Sequence, residues 1–216
     1  MLALFDLDGT LADRAAGLRA WAVEFCADHG LDLAEADWLV EADGDGRVAK
    51  EEFFGRVRER YGLAESFEEL FRQYSEWQPT LIPVYDGVLG GLERLRSAGW
   101  RLGVVTNGYQ VVQTNTLVST GIAERVDGWA ISGAEDVWKP DVRLFEIAAA
   151  RAGGKPGADG WMVGDSTADI VGGHAAGLRT IWLHHDRPWP AAEPAPTRTV
   201  SNPTEAIALI LGLGIA

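Results

Sequence analysis

Phe5-Asp6-Leu7-Asp8-Gly9-Thr10-Leu11 follows directly on the apolar run Leu2-Ala3-Leu4-Phe5. A short run that is apolar at every position reads as a strand covered on both faces. Side chains two apart share a face of an extended chain, so Asp6 and Asp8 point the same way. Two carboxylates side by side at the end of a buried strand repel each other. That is costly unless a cation sits between them or one holds a proton. Gly9 permits the sharp departure such a strand end needs. Ligands of doubly wound sheets bind at the carboxyl ends of the strands, so this stretch reads as a site rather than as an exposed acidic turn.

Four more runs of the same kind follow: Leu-Gly-Val-Val at 102–105, Trp-Ala-Ile at 129–131, Trp-Met-Val at 161–163 and Thr-Ile-Trp-Leu at 180–183. Amphipathic stretches separate them. Val88, Leu92 and Leu95 mark a helix at 88–98; Leu144, Phe145 and Ala148 mark one at 141–152 that stops at Gly153-Gly154. Alternating strands and helices predict an α/β fold, a Rossmann-like parallel sheet of about five strands. One gap breaks the rhythm. Segment 14–82 reads as helices carrying Leu18, Trp21, Ala22 and Phe25, then Phe53, Phe54 and Val57, then Phe67, Leu70, Phe71 and Tyr74. It holds 10 of the 20 aromatic residues, enough for a small core of its own. The expected division is a catalytic core at 1–13 and 83–216 and an inserted helical domain at 14–82. The Pro-rich segment 186–196 reads as irregular, and a last helix is expected at about 203–211.

Polar groups stand at other strand ends as well. The second run leads into Thr106-Asn107-Gly108 and the fourth into Gly164-Asp165-Ser166-Thr167-Ala168-Asp169, with Lys139-Pro140-Asp141 between them. In order and spacing these pieces resemble the four motifs of the haloacid dehalogenase superfamily, from residue 1 to about 185. The helical insertion resembles the cap of that superfamily's first subclass.

The resemblance implies an enzyme. Asp6 is then the nucleophile that forms a covalent intermediate. Asp8 is the acid that protonates the leaving oxygen and the base that activates water. Thr106 and the Asn107 amide bind the transferring phosphoryl group, and Lys139 offsets the negative charge. Asp165 ligates Mg²⁺ with Asp6 and the Asp8 backbone carbonyl, while Asp169 orders the metal shell or Lys139. Four ionised aspartates and one lysine leave −3; Mg²⁺ and a proton on Asp8 bring that to zero. A halide leaves without a proton and an alkoxide does not, so Asp8 favours a phosphatase acting on a small phosphorylated metabolite. The alternatives are 2-haloacid dehalogenation, sugar-phosphate mutase activity on the same residues, and a catalytically silent binding or regulatory protein. Two departures from relatives stand out: no glycine in Glu135-Asp136-Val137-Trp138, and Arg14 in place of a small residue.

Composition excludes other classes. The chain has 216 residues, 19 Lys plus Arg against 32 Asp plus Glu, and a net charge of −13, a poor match to nucleic-acid phosphates. Cys26 is the single cysteine, so no intrachain disulfide exists. The N-terminus lacks the basic start of a signal peptide, and no run approaches the ~20 apolar residues of a membrane span. A cytoplasmic protein is expected. The cap carries 8 cations and 15 acids, net −7, and within 24–52 ten acids face only Arg47 and Lys50. That favours a substrate with one phosphate and an uncharged or cationic remainder.

Other features are expected to be structural. Residues 41–52 carry acids at positions 1, 3, 5 and 12 of an EF-hand-like loop, glycine at 6 and an apolar residue at 8. Glu41 stands at position 1 where Asp is usual, and the reading preferred over Ca²⁺ binding is a helix–helix turn. His184-His185-Asp186 is expected in a surface loop, Cys26 in a core, and Arg47 and Lys50 on a solvated helix. Trp138 either lines the substrate cleft or packs under its loop.

Overall fold

The protein is described here from a computed structural model, in which residues 1–212 are placed. The chain divides into two compact units, one of Met1–Asp13 and the residues from Val84 onward, the other of Arg14–Pro83.

The first unit is built on strands β1 (Leu2–Phe5), β2 (Arg101–Thr106), β3 (Gly128–Ile131), β4 (Trp161–Gly164), β5 (Arg179–Leu183) and β6 (Arg198–Val200). All pair in parallel, in the order β3-β2-β1-β4-β5-β6. This is a Rossmann-like α/β sheet of six strands rather than five. The sixth, β6, is the edge strand absent from the sequence reading. Its three residues bury only Val200, too short and too polar for an apolar-run pattern to detect. The order reverses between β1 and β4, so the crevice at the carboxyl ends lies beside Asp6 and Asp165.

Alternation decides which face each side chain takes. Leu2, Leu4, Val105 and Met162 share one core cluster with Leu144, Phe145, Ala148 and Ala149 of a helix at Val142–Arg151. Asp6 continues the parity of Leu2 and Leu4, which aims it at the side where that helix begins, just after Lys139. A second helix, Thr167–Ala175, packs on β4 and β5. Its Gly172 admits the Phe145 ring: a Cβ there would lie 2.3 Å from Phe145 Cε2. Helices Val88–Ser97 and Pro203–Ile210 pack against each other, Gly91 meeting Ile207.

The second unit is helical: Arg14–Asp28, Glu35–Asp43, Lys50–Tyr61 and Phe67–Trp77, then a 3₁₀ turn at Gln78–Leu81. Trp21 centres its core, 5.0 Å from the Phe25 and Tyr74 rings and 6.1 Å and 6.3 Å from Phe53 and Phe54. Cys26 is buried, as expected. The EF-hand-like stretch is a helix–helix turn whose Asp43 is buried. Arg14 Nη2 donates to Asp43 Oδ2 at 2.6 Å and Lys50 Nζ donates to Oδ1. Protein cations thus take both Asp43 oxygens. Burial alone would raise the Asp43 pKa, but Arg14 and Lys50 outweigh it and hold it below the usual carboxylate range. Lys50 is therefore not on a solvated face. Its ammonium lies 4.7 Å from the Tyr74 ring and 5.0 Å from Phe53, a cation–π position. Arg47 is exposed, in the turn before the helix rather than on it.

Two glycines test this packing in opposite directions. In an open helix, alanine gains about 1 kcal/mol over glycine, and a Cβ on exposed Gly55 meets nothing within 4 Å. In urea denaturation, Gly55→Ala should stabilise by up to about 1 kcal/mol. Gly172→Ala should destabilise by about 1–3 kcal/mol, because overpacking against Phe145 outweighs propensity. A stability gain in Gly172→Ala would contradict the packing described.

Candidate active site

Asp6 leaves the end of β1 with its backbone N–H donating to Val163 O at 2.8 Å, and the residue is 5% exposed. Its Oδ1 accepts from Lys139 Nζ at 2.6 Å. The same ammonium donates to Asp169 Oδ1 at 2.7 Å and Val105 O at 3.1 Å. A lysine has three donors and no acceptor, and here the three meet three oxygens from three different elements. Asn107 holds the lysine's main chain from both sides: its Oδ1 accepts from Lys139 N at 2.9 Å and its Nδ2 donates to Lys139 O at 3.4 Å. The Asn107 side chain is thus committed to structure, and what it can offer a ligand is its backbone N–H.

Asp169 belongs to the helix as much as to the site. Ser166 and Asp169 form a capping box at the start of Thr167–Ala175. Asp169 Oδ2 accepts from Ser166 N at 2.9 Å and Ser166 Oγ at 2.7 Å, while Oδ1 takes the lysine. The need of a helix N-terminus for an acceptor and the need of a buried lysine for a carboxylate are met by one residue.

Asp165 faces the same space. Ligand oxygens of Asp6, Asp165 and Asp169 lie within 4.8 Å of one another. Arg187 Nη2 donates to Asp165 Oδ2 at 2.9 Å and to its carbonyl at 2.8 Å, and Trp182 Nε1 donates to that carbonyl at 3.1 Å. Gly9, with φ +75°, passes so close that a Cβ would lie 2.9 Å from Asp165 Oδ2.

The electrostatics follow from burial. Loss of water, then the Asp169 and Asp165 charges, push the Asp6 pKa well above the carboxylate range despite Lys139. Asp165 is raised by burial and by Asp169, with Arg187 opposing. For Lys139, burial alone would lower the pKa, but Asp169 and Asp6 outweigh it and hold the ammonium charged. Three carboxylates thus share a lysine and an arginine, and a hard cation fits the remaining deficit. Among the described contacts, Lys139 takes one oxygen of Asp6 and Arg187 one of Asp165, leaving the other of each for such an ion. Asp169 has both oxygens engaged and is the poorer ligand.

Asp8 and Thr106 are joined by a residue absent from the sequence reading. Gln113, on the helix Gln110–Ser119, is 3% exposed. Its Nε2 donates to Thr106 Oγ1 at 2.6 Å, Asp8 Oδ2 at 3.1 Å and Asn107 O at 3.2 Å. The signal was a glutamine on the buried side of a helix that starts just after Thr106, but glutamine has no motif of its own. His185 lies in the loop after β5, as expected, and its Nε2 lies 2.6 Å from Gly9 O, so that loop supports the turn carrying Asp8. Trp138 is 51% exposed and does not pack under its loop.

Known proteins are similar in sequence and in fold. The chain is 31% identical over 211 residues to phosphoglycolate phosphatase 1 of Pseudomonas aeruginosa, covering 93% of this chain and 76% of the relative. It is 39% identical over 104 residues to the pyrimidine 5'-nucleotidase YjjG of Escherichia coli, 47% of this chain. It spans about half of that relative's length, 46%. The solved structure of a putative beta-phosphoglucomutase from Thermotoga maritima superposes with a TM-score of 0.80 at 19% identity, covering 99% of both chains, a likeness of fold. Residues 3–183 match the haloacid dehalogenase-like hydrolases, and the chain belongs to that family.

Proposed function

We propose that this hydrolase is a phosphatase that cleaves a small phosphate monoester through a covalent phosphoryl intermediate on Asp6. The observation that carries the reading is a second carboxylate, Asp8, on the loop of the buried Asp6–Lys139 pair, tied to Thr106 through Gln113. An alkoxide leaving group needs a proton that a halide does not. Relatives named as phosphatases support the same choice.

In the first step Asp6 attacks phosphorus, the bond to the ester oxygen breaks, and that oxygen takes the proton of Asp8. In the second, the Asp8 carboxylate takes a proton from water, whose oxygen attacks phosphorus and releases Asp6. Thr106 and the Asn107 backbone N–H hold the phosphoryl oxygens. Lys139 balances charge that would otherwise oppose an anionic substrate. The remaining oxygens of Asp6 and Asp165, with the Asp8 carbonyl, are the proposed ligands for Mg²⁺, which supplies Lewis-acid stabilisation of the transferring group. The helical unit, residues 14–82 in the sequence division, is its proposed cap and sets substrate choice. With Lys50 bound to Asp43, the acid-rich stretch 24–52 retains only Arg47 as an exposed cation. A substrate with one phosphate and an uncharged or cationic remainder suits that charge.

Asp6→Asn should abolish turnover of a generic aryl phosphate in Mg²⁺; retained activity would overturn the mechanism. A second outcome follows from linkage. With a chelator present, Asp6 and Asp165 hold protons more tightly folded than unfolded. Stability therefore falls as pH rises from the ordinary carboxylate range through their raised values. The raised Lys139 pKa acts only above the ordinary lysine range, outside that window. Mg²⁺ should accordingly raise the melting temperature more at about pH 8 than at about pH 5. Equal shifts at the two pH values would contradict the charge balance described.

A further inference from the structure

Gln113 spends one amide nitrogen on three acceptors, Thr106 Oγ1, Asp8 Oδ2 and Asn107 O, and is itself buried. Its orientation is fixed by chemistry. A carbonyl oxygen turned to this side would face Asn107 O, which can only accept. The nitrogen therefore stays inward. Space for the side chain is reserved by Gly108, where a Cβ would lie 3.0 Å from Gln113 Cγ.

We infer that Gln113 is a positioning residue that holds the Asp8 and Thr106 side chains in fixed register with each other, an inference that rests on the phosphatase reading. Its nitrogen donates to Asp8 Oδ2 and so anchors that carboxyl group by one oxygen. Thr106 Oγ1 likewise receives the Gln113 hydrogen as acceptor. Its own O–H is its remaining donor, with a competing acceptor, Asn107 O, only at 3.5 Å. The hydroxyl is left to bind a phosphoryl oxygen. One amide thereby couples the group that holds the phosphoryl to the group that protonates what leaves it. The chain gives no local signature of this link, because Asp8 and Gln113 are 105 residues apart.

The two roles separate experimentally by leaving group. An aryl phosphate such as 4-nitrophenyl phosphate departs with little need of a proton; a simple alkyl phosphate depends on one. kcat/KM reports the steps through transfer to Asp6 for both. In Gln113→Leu, with Mg²⁺, we expect the alkyl-to-aryl ratio of kcat/KM to fall roughly tenfold or more relative to wild type, a part of the 10²–10⁴ that general acid catalysis supplies. Gln113→Glu keeps the side-chain shape and loses the donor, and should lower the same ratio. If one variant fails to fold, as judged by circular dichroism and melting, the other carries the comparison. A merely structural glutamine would lower both substrates by the same factor, and an unchanged ratio in a folded variant would overturn the inference. Wild-type enzyme that hydrolyses neither ester would instead overturn the phosphatase reading itself.

Discussion

One ammonium group organises this protein. Lys139 Nζ reaches Asp6 at the end of β1, a carbonyl of β2 and Asp169 at the start of the helix after β4. Its side chain is 3% exposed and that of Asp169 is fully buried. Charges taken from water at this depth are tolerated only as a satisfied set, and breaking such a pair on one side costs roughly 3–5 kcal/mol. The sheet order that puts β1 between β2 and β4 is what lets one lysine touch all three. The geometry of the site and the topology of the sheet are therefore a single constraint.

Around that ammonium the supporting contacts each do two things. Asp169 caps a helix and grips the lysine. Asn107 clamps the lysine's backbone, which leaves its own N–H for a ligand. Trp182 on β5 and Arg187 in the loop after it hold Asp165, and His185 from that loop meets Gly9 O. Because each group has few ways to satisfy its hydrogen bonds, the carboxylates are set before any substrate arrives, which is what electrostatic preorganisation requires. The cluster remains short of positive charge, visible in the raised pKa values of Asp6 and Asp165. An arriving cation is the natural relief of that shortage.

What the sequence made legible was whatever has a period or a motif. Five strands were readable because a doubly covered strand is apolar at every position; β6 was not, with one buried side chain in three. Asp6, Asp8, Thr106, Lys139, Asp165 and Asp169 were readable because strand ends place short polar motifs at fixed points. Contacts that depend on distant parts of the chain were invisible. Gln113 looks like any helical glutamine. His185 is a loop residue whose partner, Gly9, lies 176 residues away in the chain. Arg14 stood out only as a departure from relatives, and its partner Asp43 lies 29 residues away. Lys50 misled because an isolated cation in an acidic helical segment resembles a solvated residue. Here it closes a buried turn against Asp43 and two aromatic rings.

The central proposal is that the carboxylate held by Lys139 is the one that carries the phosphoryl group. Borohydride reduces an acyl phosphate to an alcohol, converting a phosphorylated aspartate to homoserine. Enzyme mixed with substrate, quenched in acid during turnover and then reduced should show that mass change in its N-terminal peptide, at residue 6 and nowhere else. Homoserine at Asp8 or another aspartate, or active enzyme from which no residue is ever converted, would contradict the account.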